Sequence, residues 1–154
     1  MLDLYTEFEA VLDVLEQHQV NYAVCGGLAV ILLTQPRLTE DIDILVHPKD
    51  CERCKEILLP RGFKFFSTPM RFENDLVEVH KLTKIEPGTN DYIFLDLIVA
   101  ISPFSQEILS QRMRLAWKGR QLWIVSREGL IKLKESAKRP KDILDLDNLK
   151  EQTE

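Results

Sequence analysis

The nine residues Tyr92-Ile-Phe-Leu-Asp-Leu-Ile-Val-Ala100 form the most apolar strand that can be drawn in this chain, and an aspartate stands in the middle of it. A run of that composition belongs in a sheet covered by other elements, not on an open surface. Asp96 therefore constrains the fold twice. It demands a buried strand, and it demands something to meet its charge, because an ionised carboxylate in such a place costs several kcal/mol, of order 3 or more, unless a cation or donors reach it. A helix cap or a lysine partner would serve, and so would a metal ion.

A second acidic strand makes the metal reading sharper. In Asp41-Ile-Asp-Ile-Leu-Val46 the side chains of a strand alternate, so Asp41 and Asp43 share one face and Ile42 and Ile44 the other. Two like charges about 6–7 Å apart repel by about 2–3 kcal/mol at an effective dielectric of about 20. A divalent cation reverses the sign, and carboxylate oxygen is the ligand that Mg²⁺ prefers. D-x-D alone also describes a solvated strand end. If the strand of Asp96 lies beside this one, three carboxylates converge, as in a two-metal phosphoryl-transfer site.

The rest of the chain reads as alternating elements. Apolar spacing places a helix over 3–18, a short buried strand at 22–25, a tight turn at Gly26-Gly27 and a helix over 28–33 that Pro36 ends. After the strand 41–46, Asp50 is expected to cap a helix over 51–60. Strands follow at 63–66, 70–73 and 76–82, with a hairpin turn at Asn74-Asp75, and then the strand 92–100. A brief helix at 104–111 precedes two strands joined at Lys118-Gly119. Ser126 caps a helix to about 138, Pro140 interrupts, and a last helix covers about 141–151. The expected fold class is α+β (α/β), a mixed sheet flanked by helices. A single domain is expected over 1–154, with its core at about 20–125 and C-terminal helices at about 126–151.

Glycine after a buried strand lets the backbone approach a ligand, and a helix that follows offers free N–H groups and the positive end of its dipole. Gly26 and Gly27 thus suit a di- or triphosphate, although a glycine pair is also just a tight turn. No Gly-Lys-Ser/Thr follows, so this is not a Walker loop.

Taken together, Cys25-Gly26-Gly27, thirteen intervening residues and Asp41-Ile42-Asp43-Ile44 resemble the signature of the DNA polymerase β-like nucleotidyltransferase superfamily, with Asp96 in the place of its third acid. Arg37-Leu38-Thr39-Glu40 is similar to the lead-in of the superfamily's minimal, toxin-type (AbiEii-like) branch. Gly129-Leu130-Ile131 through Lys134 and Arg139-Pro140-Lys141-Asp142 to Asp145-Leu146 look like that branch's helical ending. The resemblance spans about 20–148 and implies the nucleotidyltransferase fold.

It implies the transfer of a nucleoside monophosphate from an NTP to an acceptor, a protein, an RNA end or a small molecule, with release of pyrophosphate. Asp41, Asp43 and Asp96 would be both catalytic and metal-binding, holding two Mg²⁺ ions for which Mn²⁺ can substitute. Gly26 and Gly27 would hold phosphates. Arg37 and Thr39 would steady the metal strand or touch phosphate, the choice staying open. Lys134 would contact phosphate from the C-terminal helix, or else be a solvated lysine. Membership of a toxin–antitoxin pair is a further implication of the branch. Gly27 departs from the serine of many active members, and the short tail leaves no large acceptor domain in cis, so the acceptor is small, is brought by a partner chain or second copy, or is gripped by the 63–92 strands. A nucleotide-binding module without turnover, or one subunit of a two-chain transferase, is the alternative. A scaffold protein with a coincidental acid cluster is the bland one.

Charge and cysteine content narrow the setting. Lys and Arg total 20 and Asp and Glu 25, a net charge of −5, which disfavours a grip on long nucleic acid through the overall field. The acidic N-terminal stretch lacks a signal peptide's basic start, and no apolar run nears the roughly 20 residues a bilayer span needs. Cys25, Cys51 and Cys54 cannot all pair, so a cytoplasmic chain with reduced thiols is expected. Cys51-x-x-Cys54 lacks a second pair at zinc spacing and reads as structural. Glu78 and His80 read as a surface pair, and Trp117 and Trp123 as packing anchors.

Overall fold

A computed structural model describes residues 1–34, 39–72, 76–137 and 140–151. Over these residues the chain forms one eight-stranded mixed sheet and six α-helices, the α+β arrangement expected. The first helix, α1 (Leu4–Gln17), starts at Asp3, whose carboxylate accepts from Thr6 N at 2.9 Å. Its stripe of Phe8, Val11, Leu12, Val14 and Leu15 is buried, as the spacing requires.

The centre of the sheet is the apolar pair that the composition singles out. β2 (Asp41–Val46) and β6 (Tyr92–Val99) run parallel over six partnered residues, Asp41↔Phe94 through Val46↔Val99. β1 (Tyr22–Cys25) lies antiparallel on the other side of β2, and β5 (Val77–Ile85) antiparallel on the other side of β6. Beyond β5 come the short β3 (Lys64–Phe65) and β4 (Met70–Phe72). Beyond β1 comes the hairpin β7 (Met113–Trp117) and β8 (Arg120–Ile124). Lys118 (φ +49°) and Gly119 (φ +74°) both take the left-handed conformation that a two-residue hairpin needs.

Ile42, Ile44, Leu95, Leu97 and Leu82 are fully buried, and by register they share the face that carries Val24 and Tyr22. α1 and α3 (Cys51–Leu58) pack against each other, and α1 reaches β2. α2 (Gly26–Leu33) packs on β1 and β2, with α5 (Arg127–Ala137) and α6 (Pro140–Glu151) against it. α4 (Pro103–Ser110) begins with a capping box in which Ser102 and Ser105 satisfy each other's backbone N–H.

Several expectations change. Gly26-Gly27 is no separate turn, since α2 starts at Gly26 itself. Asp50 gives α3 no side-chain cap, and a 3₁₀ turn over Pro48–Asp50 leads in instead. The separation of two helices at Pro140 holds, with Pro140 itself as the first residue of α6, its missing N–H being one a first turn does not use. The Asn74-Asp75 hairpin turn lies outside the described residues, as do Pro36, Arg37, Leu38 and Arg139.

Candidate active site

The three acids meet on one face because two strand registers agree. Along β2 the alternation buries Ile42 and Ile44 and leaves Asp41 and Asp43 part-exposed. Along β6 the same alternation buries Leu95 and Leu97 and leaves Asp96 part-exposed. Asp43 and Asp96 are direct partners in the parallel ladder, and partners on neighbouring strands point to the same side. Asp41, two residues back, is partnered with Phe94.

Gly26 closes the site from the side of β1. Cys25 is the register partner of Asp43, so the chain turns into α2 directly beside that carboxylate. Gly26 has φ +64°, and a β-carbon there would lie 1.8 Å from Asp43 Oδ2. Only glycine allows both the backbone conformation and the approach. The first turn of α2 takes no side-chain cap from Cys25, so the positive end of a helix faces the acidic strand. Gly27 is buried in that same turn.

The opposite flank carries a cation that the sequence reading missed. Lys81 on β5 is the register partner of Asp96, and its Nζ lies 2.9 Å from Asp96 Oδ1. The ammonium also stands 4.4 Å above the Phe94 ring. It sits off the line that a hydrogen bond needs, so the buried Oδ1 accepts no hydrogen bond among the described residues. Asp96 thus has the lysine partner and the place beside Asp43 at once. A signal for Lys81 existed in its alternation with His80 and Leu82 along the strand, but nothing local revealed which residue it would face.

This donor set fits a divalent cation in type and in face. Hard carboxylate oxygens from neighbouring strands are what Mg²⁺ takes, and Asp96 Oδ1 has a lone pair with no aligned donor. Among the described residues no three acids, histidines or cysteines are yet drawn closely enough together to hold an ion. The carboxylates share a surface, and holding an ion between them would require side-chain movement.

The remaining candidates fall elsewhere. Thr39 is half-buried just before β2, and Arg37 lies outside the described residues. Lys134 is not a solvated lysine. It is buried on α5, with Nζ 3.2 Å from Asp145 Oδ2 on α6, so two residues of the tail signature meet each other. Arg127 of α5 donates to Leu33 O at 3.1 Å and so caps the end of α2.

The signals set aside are structural. Cys51 and Cys54 are buried on α3, and burial raises both thiols, that of Cys54 to about 12. His80 and Glu78 pair at 2.6 Å, but His80 is buried rather than on the surface. Its register partner is Leu97, which puts it on the sheet face opposite the acids. Trp117 packs on Phe8, with ring centres 5.4 Å apart, and Trp123 lies beneath Arg112 and Arg114. No helix among the described residues is long and apolar enough to cross a membrane.

With this geometry in hand, the likenesses to known proteins become informative. The family model described as aminoglycoside-2''-adenylyltransferase matches residues 7–97, the stretch that holds Gly26, Asp41, Asp43 and Asp96. It is not the toxin-type branch that the lead-in and tail suggested, and those two segments lie partly outside the described residues or in the α5–α6 ion pair. No curated protein matches the chain by sequence. Among solved structures, the lincosamide antibiotic adenylyltransferase LnuA, lincomycin-bound, is similar at TM-score 0.69 and 22% identity, over 94% of this chain and 95% of that one. ANT(2'')-Ia in complex with adenylyl-2''-tobramycin is similar at TM-score 0.65 and 14% identity, over 97% and 88%. A nucleotidyltransferase structure from Thermotoga maritima is similar at 0.59 and 16%, over 97% and 91%. At these identities the structures establish a shared nucleotidyltransferase fold.

Proposed function

Because the chain belongs to the aminoglycoside-2''-adenylyltransferase family, we propose that it transfers the nucleoside monophosphate of an NTP, AMP from ATP by analogy with its relatives, to a hydroxyl of a small molecule of the antibiotic class. The observation that carries this reading is the Asp43–Asp96 register beside the glycine-opened helix. That register brings Asp43 and Asp96 to one face of the sheet, which supports a reading in which acids meet a nucleotide and one of them serves as a base.

In the reaction, the acceptor's hydroxyl oxygen bonds to the α-phosphorus and the bond from that phosphorus to the pyrophosphate oxygen breaks. Asp96 receives the hydroxyl proton, and pyrophosphate leaves with the bonding electrons. Bound Mg²⁺, or Mn²⁺ in its place, supplies the positive charge that offsets the triphosphate and the acids. Asp41 and Asp43 would hold one ion and all three acids the second. Gly26 and Gly27 bring the N–H groups of α2 to the β- and γ-phosphates. Thr39 and Arg37 steady the entry to β2 or touch phosphate. Lys134 serves the reaction indirectly, by tying α6 to α5 behind α2. Residues 1–154 act as one unit in this scheme, and its NTP supply suits a cytoplasmic setting. The toxin–antitoxin role loses the branch on which it stood. A protein or RNA end becomes the less economical acceptor.

The test is incubation with α-labelled ATP, Mg²⁺ or Mn²⁺ and a panel of aminoglycosides and lincosamides, followed by mass spectrometry. The expected result is a product heavier by one AMP unit, absent with Asp43→Asn. Binding of ATP without incorporation into any acceptor, under either metal, would replace this reading by that of a nucleotide-binding module.

A further inference from the structure

We infer that Lys81 is a built-in counter-ion of the acid cluster, occupying Asp96 in place of a divalent cation and competing with that cation for it. This rests on the proposed metal role of the three acids and adds a residue to it.

The argument starts from charge. Asp43 and Asp96 face the same side as direct ladder partners, and Asp41 follows two residues away. Like charges so placed repel, and the fold must tolerate them before any nucleotide arrives with its metal. Lys81 supplies a neutralising charge to Asp96, with Nζ at 2.9 Å from its Oδ1. Its attachment is built for release. The side chain is 35% exposed, so water can take over the solvation of the head as it leaves. The contact is an ion pair without an aligned hydrogen bond, which leaves the Oδ1 lone pair open to a harder cation. The Phe94 ring, 4.4 Å from Nζ and partnered with Asp41, offers the displaced ammonium a resting place beside the site. Lysine suits this better than arginine, being a flexible point charge rather than a planar fork that would grip the carboxylate at two points. Lys81 is therefore a positioning residue: it acts through Asp96.

Competition has a measurable sign. Mn²⁺ binding to the full chain, followed without nucleotide by the paramagnetic resonance of the free ion, should tighten about fivefold in Lys81→Met, the upper end of what a part-exposed ion pair contributes. Methionine keeps an apolar stem over Phe94. Lys81→Gln gives a second route should the first variant fold poorly. Lys81→Arg, which keeps the charge, should bind Mn²⁺ no more tightly than the native chain. In a chelator the melting temperature of Lys81→Met should fall, and Mn²⁺ should raise it by more than it raises the native chain. Equal affinity of native and Lys81→Met, within about twofold, overturns the inference while leaving the metal site standing. Failure of every variant to bind Mn²⁺, with Asp43→Asn indistinguishable from native, overturns the metal reading and the inference together.

Discussion

Asp43 and Gly26 are in contact so close that the glycine cannot be anything else: a β-carbon at position 26 would stand 1.8 Å from the carboxylate oxygen Oδ2 and 2.6 Å from Cγ. The contact couples the start of α2 to the acidic strand. Gly26→Ala should therefore cost at least about 2 kcal/mol, combining a left-handed backbone that alanine resists with an overlap that only movement of Asp43 can relieve. Urea unfolding reads this directly. An unchanged midpoint would mean that the helix and strand are not held as described.

Removing charge from the acid cluster should separate stability from function. Asp43→Asn keeps the size of the side chain and one acceptor oxygen while removing a charge that faces Asp96, so the chain without metal should stay folded with a melting temperature close to native. The same change should remove the additional stabilisation that Mn²⁺ with ATP brings, which is about 2.7 kcal/mol for a ligand at about 100 times its Kd. Differential scanning fluorimetry with and without the ligands tests both halves. A native-sized ligand shift in Asp43→Asn would remove Asp43 from the site.

The buried pair between α5 and α6 predicts an asymmetry. Lys134→Ala removes the ammonium that faces Asp145, which has no exposed surface, and should destabilise the chain by at least about 1 kcal/mol. The double change Lys134→Met with Asp145→Leu should recover most of that, because an apolar pair needs no desolvation of charge. Equal loss in the single and double variants, measured by chemical unfolding, would count against the pair.

Burial of Cys54 sets an alkaline limit. Its folded thiol is raised from 9.0 to about 12, so the unfolded chain loses this proton first as pH rises. Its contribution is complete below about pH 9 and is lost progressively between 9 and 12. Cys54→Ala should flatten the fall in stability across that window. The native thiol should also resist a disulfide reagent at pH 8 until the chain unfolds.

Much of the site could be read in advance. The alternation in DIDILV and the lone carboxylate in YIFLDLIVA place each acid on its strand and each isoleucine or leucine behind it. Gly26 was legible as a close-approach residue, though not that its neighbour would be Asp43. Lys134 was legible as part of a motif, but its burial and its ion pair were not, because its partner lies eleven positions further on, across a helix junction. The short strand Lys64–Phe65 was overdrawn: aromatic composition favours a strand, yet only two residues there find partners on β5.

What the sequence determined by itself was local: where strands and helices form and which side of each faces the core, since periods of two and of about 3.6 are written into the order of side chains. What only the tertiary structure decided was register. Whether Asp96 falls beside Asp43, and Lys81 beside Asp96, depends on how strands far apart in the chain slide against one another. A slip of one residue would turn a whole strand face over, and the packing of the entire sheet, not any segment of it, excludes that slip.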